Sequence, residues 1–168
     1  MQVQILGTGQ LLDLQRKLRQ AGHENIRSSM TRRIRRAAEP LRDELQNNIR
    51  SLNITSSGRK AGKRGGPSPT TRPLRAAIAQ AIRISVRTTG NPGARVWVDR
   101  SALPPDITNG VVVRLNEGRL RHPTFGNKRR WGQQNATPGW WDKTVRAHQP
   151  RITREVERVM DDVRRRLE

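Results

Sequence analysis

Between Glu24 and Leu52, apolar residues recur every three or four positions: Ile26, Met30, Ile34, Ala37/Ala38, Leu41, Leu45, Ile49 and Leu52. That spacing is one face of an amphipathic helix, and it is the longest periodic run in the chain. Arg27, Arg32, Arg33, Arg35, Arg36, Arg42 and Arg50 fall mostly on the other faces. Pro40 lies inside the run. A proline there removes a backbone donor and clashes with the preceding turn, so the helix is expected to kink or to split near it. The stripe is narrow, so this helix must lie on a sheet or on neighbouring copies of the chain. A second stripe, Ile152, Val156, Val159/Met160, Val163 and Leu167, predicts a helix from Pro150 to Leu167. Pro150 suits its first position, and Arg164, Arg165 and Arg166 complement the dipole at its end.

Other segments have period two. Gln2–Leu6 sets Val3 and Ile5 against polar neighbours and closes on Gly7-Thr8-Gly9, a short strand. Leu11, Leu12, Leu14 and Leu18 then suggest a helix over Gly9–Ala21, stopped by Gly22. Leu74–Ala81 reads as a short helix behind Pro73. Ile82–Thr88 alternates Ile82, Ile84 and Val86 with Arg83, Ser85 and Arg87; Ala94–Asp99 sets Val96 and Val98 against Arg95 and Trp97. The turn Thr89–Gly93 makes these two a β-hairpin with one apolar face and one arginine face. Leu103-Pro104-Pro105 ends the sheet. Gly110–Gly118 admits a strand by its Val111-Val112-Val113 run, or a short helix by its Leu-Asn-Glu-Gly ending; the helix or an irregular segment is preferred. The expected fold is a single α+β domain over residues 1–168. Its two long helices pack on a small antiparallel sheet of Ile82–Thr88, Ala94–Asp99, Gln2–Leu6 and part of Leu120–Phe125.

Residues 53–73 break the pattern. They are rich in Gly, Ser, Pro and Thr and contain no acid, and six basic residues fall within Arg59–Arg75. Such a segment buries too little apolar surface to offset its ordering entropy. It is expected to be a mobile basic loop whose Arg59, Lys60, Lys63, Arg64 and Arg72 meet a polyanion or a neighbouring subunit. Charge extends this picture to the whole chain: 34 Lys and Arg against 14 Asp and Glu leave a formal +20. So large an excess repels itself in an isolated monomer and calls for an acidic partner or a crowded assembly.

The stretch Arg119–Trp141 holds the only Phe, Phe125, and three of the four tryptophans, Trp131, Trp140 and Trp141. In a chain that is 3% aromatic, this marks a place where large rigid surfaces are buried. Phe125, Trp140 and Trp141 are expected to fill the space between the helices and the hairpin, and Trp131 suits either core or partner contact. His122, Lys128, Arg129 and Arg130 are expected outside, on a connecting loop, as partner contacts.

Candidate chemistry narrows the function. No cysteine means no disulfide and no thiolate zinc site. His23, His122 and His148 share no ligand spacing, there is no Gly-x-Ser-x-Gly elbow, and Gly7-Thr8-Gly9 lacks the rest of a phosphate loop. No catalytic, metal or cofactor residues are assigned, and the chain reads as a non-enzyme. The first residues carry no basic region with an apolar run, and no window reaches the roughly 20 apolar residues of a spanning helix. A soluble protein of a reducing cytoplasm, without membrane contact, is expected. Basic faces with Trp97, Trp131, Trp140 and Trp141 leave a nucleic-acid-binding protein that stacks bases as a rival reading, although no helix-turn-helix, zinc-finger or RNA-recognition signature is present.

The chain also presents a Leu-Arg-Ala-Ala-Ile start at Leu74, an Ile-Arg-Ile-Ser-Val strand and a Val-Trp-Val-Asp strand. Arg121-His122-Pro123-Thr124-Phe125-Gly126-Asn127, Trp131 and a Pro-Gly-Trp-Trp turn follow, ahead of the C-terminal helix. In this order of elements it resembles the tail-completion or neck proteins of long-tailed bacteriophages, particularly the arginine-rich versions in phages of actinobacteria. There an Arg-His-Pro-x-Phe-Gly-Asn motif precedes a Trp and a Pro-x-aromatic-aromatic turn. The likeness spans roughly Leu74–Glu168; the Val111–Val113 run departs from a more polar segment in the family. The resemblance implies a structural virion protein, assembled in the host cytoplasm, that forms a six-fold or twelve-fold ring in the head–tail connector. Its partners would be adjoining connector and tail proteins and the packaged DNA. Tail terminator and head-closure roles, which share small α+β folds, remain the alternatives within that class.

Overall fold

The computed structural model describes residues 1–6, 24–56, 74–88, 93–105, 107, 109–124 and 127–167. The expected helix over Gly9–Ala21, the basic segment from 57 to 73 and Phe125 lie outside them.

The long apolar stripe forms α1, Glu24–Ser51. Met30, Ile34, Ala38, Leu41, Leu45 and Ile49 are all but sealed from solvent. The helix is not split: it runs through Pro40 without interruption. Ile34 and Ala38 before the proline stay in phase with Leu41 and Leu45 after it, so core packing keeps both halves helical on one buried face against a penalty of about 3 kcal/mol. α4, Asp142–Leu167, packs along α1. Arg33 meets Asp162, Glu44 meets His148, and Asn48 meets Thr144, so the two helices run antiparallel. The start expected at Pro150 is wrong by two turns, and Pro150 lies inside the helix. Those first turns direct Thr144 and His148 towards α1 and add only Val145 as an aliphatic contact with the core, and so escape an apolar periodicity.

Six strands make two three-stranded antiparallel sheets instead of one. The first orders β1 (Gln2–Leu6), β4 (Gly93–Val98) and β3 (Ile82–Arg87), with Gln2 opposite Trp97 and Ile84 opposite Val96. Its inner side, with Ile82, Ile84, Ala94, Val96 and Val98 buried, lies on α1. α2, Leu74–Gln80, leads into β3 and buries Ile78 and Ala79 against the same helix. A 3-10 turn at Arg100–Ala102 closes the sheet; Asp99 caps it by accepting from the Ser101 amide at 3.0 Å.

The second sheet orders β2 (Ile54–Ser56), β6 (Asn127–Ala136) and β5 (Arg119–Thr124). Two expectations change here. Leu120–Thr124 does not join the first sheet, and the start of the supposed basic loop, Ile54–Ser56, is a strand. Ahead of β5 in the chain, and packed on β5 and β6, is α3, Asn109–Glu117, which resolves the valine run as helix and buries Val112 and Leu115. Gly118 ends it at φ 83°, a conformation natural only to glycine, and a Cβ there would lie 2.8 Å from the Ala136 carbonyl oxygen.

Candidate functional site

In a strand, alternate residues face the same way, and antiparallel partners share a face. In the second sheet this puts Arg119, Arg121, Arg129, Trp131, Gln133 and Asn135 on the exposed side. Leu120 is buried on the other, with Gly132, Gln134 and Ala136 half-buried. Trp131 is 48% exposed, the exposed large apolar residue among those described. The Arg121 guanidinium stacks 5.1 Å from its ring centre, a cation–π pair. The sheet joins the core through Leu120 and α3.

Of the sequence-predicted contacts, His122, Lys128, Arg129 and Arg130 fall on strands and not on a connecting loop: His122 in β5 opposite Gly132, the others in β6. Arg129 is exposed. Polar or charged residues occur on both sides of this strand pair, and Gly132, Gln134 and Ala136 leave the inner side of β6 without large apolar residues, which hides the alternation of a strand. Arg59, Lys60, Lys63, Arg64 and Arg72 lie outside the described residues. Among the anchors, Trp140 and Trp141 are buried at 5% and 3%, and their rings meet edge to face at 5.6 Å. Trp131 is no core anchor. The neighbours that share its face, Arg119, Arg121, Gln133 and Asn135, were missed; the spacing R-x-R and W-x-Q-x-N was their signal.

The first sheet repeats the chemistry on its outward side. Gln2, Arg83, Arg87 and Arg95 are exposed there and Trp97 is half-buried, with the Arg95 guanidinium 5.0 Å from its ring centre. At one end a depression of about 500 Å³ is lined by Gln2, Arg95, Trp97, Asp99 and Arg100. The Met1 amino group on its rim is held below its ordinary pKa, first by burial and then by repulsion from Arg100 and Arg95. Asp99 is held below the ordinary carboxylate range, chiefly by the Ser101 hydroxyl, which donates to it at 2.7 Å.

Charge is therefore segregated by element. The six described strands contain no Asp or Glu, but carry Arg83, Arg87, Arg95, Arg119, Arg121, Lys128, Arg129 and Arg130. The helices mix both signs, with pairs such as Arg33–Asp162, Arg165–Asp162 and Arg158–Glu155. Among the described residues, no group of three or more His, Asp or Glu is placed to hold a metal, and no helix is long and apolar enough to cross a membrane. Comparison with protein-family models, curated proteins and solved structures returns no match to this chain.

Proposed function

We propose that the chain is a structural subunit of the head–tail connector of a long-tailed bacteriophage, a ring-forming protein of the tail-completion type. The observation that carries this reading is Trp131. A half-exposed tryptophan beside Arg121, on a sheet outside the helix pair, has the composition of an interface hot spot. The Arg-His-Pro-Thr-Phe-Gly-Asn run, which carries the family resemblance, brackets the junction of the same two strands, β5 ending at Thr124 and β6 beginning at Asn127. A sheet of this kind also offers β5 and β2 as outer strands for pairing with another chain. Head-to-tail contacts that close make rings, and a ring gives the +20 chain neighbours that cover what the monomer leaves open.

The test is assembly. The chain, alone or with its adjoining connector protein, is expected to form a ring whose mass gives the copy number. Trp131→Ser is expected to stop at the monomer with unchanged thermal stability, because the side chain supports no core. Loss of the protein from its phage should leave filled heads and separate tails. A Trp131→Ser protein that still assembles would remove Trp131 from the contact and with it the observation that carries this reading, and a wild-type chain that stays monomeric and binds DNA at nanomolar affinity would replace the reading with that of a nucleic-acid-binding protein.

A further inference from the structure

The outward side of the first sheet has no role in the contact assigned to Trp131, and its chemistry points elsewhere. Arg83 and Arg87 lie on the same side of β3 with Ser85 between them, each step of two residues spanning about 7 Å. Arg95 stands opposite Ser85, and Trp97 opposite Arg83. Arg100 continues the series around the depression at the end of β4. No acid occurs anywhere in residues 45–98. The one carboxylate at the edge, Asp99, is already engaged by Ser101 and lies 3.9 Å from Arg83. Arg83 also donates to the Gln80 carbonyl at 2.7 Å, so it is the least available of the four.

We propose that this face, with Arg87, Arg95 and Arg100 around Trp97, binds the phosphate backbone of nucleic acid. Guanidinium groups recognise phosphate oxygens through paired N–H donors. The Arg95 guanidinium lies over the Trp97 ring, 5.0 Å from its centre, and this contact limits the side chain's freedom beside the other arginines. Arginines repeated along one side of a strand pair suit the regular spacing of charges on an extended polyanion. The exposed amide of Gln2 beside them adds a neutral donor of the kind that contacts phosphate and sugar. A folded acidic protein would present carboxylates interleaved with cations, and a face meeting it would be expected to carry acids of its own for register. The strands of this face carry none, and Asp99 at its edge is taken up by Ser101. The helix surfaces are the contrast, since their arginines are interleaved with Asp162, Glu155 and Asp43.

Phosphate binding by this face does not depend on ring formation, and it is tested on the full chain in a form that separates the two. Binding of a short DNA duplex is measured against salt for the wild type, for R87Q/R95Q/R100Q on the sheet, and for R32Q/R35Q/R36Q, three exposed arginines of α1. Removing one phosphate contact lowers the slope of log affinity against log salt by about 0.9. For the sheet variant the slope is expected to fall by roughly 2 to 3 and the affinity by about tenfold or more. For the α1 variant the slope is expected to fall by less than about 1. Trp131→Ser should bind DNA as the wild type does, so failed assembly leaves this result readable. Equal losses in both triple variants would mean diffuse attraction by net charge and overturn the proposal. So would polyglutamate displacing DNA at equal charge concentration, which would make the partner an acidic protein.

Discussion

Asn116 joins three parts of the molecule through one residue. Its Oδ1 accepts from the amide of Trp141 at 2.9 Å, its Nδ2 donates to Asp142 at 2.6 Å, and its backbone oxygen accepts from Gly139 at 2.7 Å. It thus satisfies an amide at the start of α4, which α4 cannot satisfy from within. Gly139, at φ 86°, makes the turn that delivers Trp140 and Trp141 to the core. Trp140 is buried, but its Nε1–H finds no hydrogen-bond partner among the described residues. Two consequences separate at this residue. Trp140→Ala removes a large buried ring and is expected to cost about 3–5 kcal/mol. Trp140→Phe keeps much of the volume and loses no hydrogen bond, so it is expected to cost less than about 2 kcal/mol. Denaturant unfolding of both variants checks this, and a phenylalanine as damaging as alanine would show that the indole nitrogen has a partner.

At the scale of elements, legibility followed the size of the inward side chains. α1 was readable because Met30, Ile34, Leu41, Leu45 and Ile49 are large and periodic. The hairpin of β3 and β4 was readable because Ile82, Ile84, Val96 and Val98 alternate with polar and arginine positions. The β5–β6 pair was not, since Gly132, Gln134 and Ala136 give its inner side little hydrophobic signal, and the candidate contacts were consequently placed on a loop. The early turns of α4 were hidden for a related reason. Thr144 is buried because Asn48 on α1 donates to its hydroxyl at 2.8 Å, and that hydroxyl donates to the Trp140 carbonyl at 2.7 Å. Asn48 lies 96 residues away in the chain and leaves no local trace. Asp162, at the other end of the pair, shows what the pairing does to stability. The Arg33 hydrogen bond, with Arg165 beside it, holds its carboxyl below the ordinary range. A depressed carboxylate stabilises the fold above its unfolded pKa, and the stabilisation is lost as pH falls through the folded value. The gap in melting temperature between wild type and Asp162→Asn should therefore be full at neutral pH and close as the solution is acidified below the usual carboxylate range. A gap that stays constant with pH would remove the ion pair from the account.

Across the whole molecule the distribution of charge matters more than its sum. Acids on the helices sit close to arginines and attract them locally, whereas the strand faces hold cations alone. Local pairs on a surface contribute little each, and repulsion among like charges reaches across the fold. Salt acts on both. At 0.1 M the screening length is about 10 Å, comparable to the distances across one sheet, and at 1 M it is about 3 Å. If repulsion on the two sheet faces dominates, as the +20 charge implies, sodium chloride should raise the melting temperature of the free chain. For a protein of this size each kcal/mol of relieved repulsion corresponds to roughly 2–4 °C. A short duplex at low salt should raise it further by binding the folded state, and added salt should cancel that part of the gain while leaving the screening part. Melting curves with salt alone and with salt plus duplex separate the two effects. A melting temperature that falls with salt alone would show that the helix ion pairs outweigh the sheet repulsion, and that the cationic faces are already compensated within the chain.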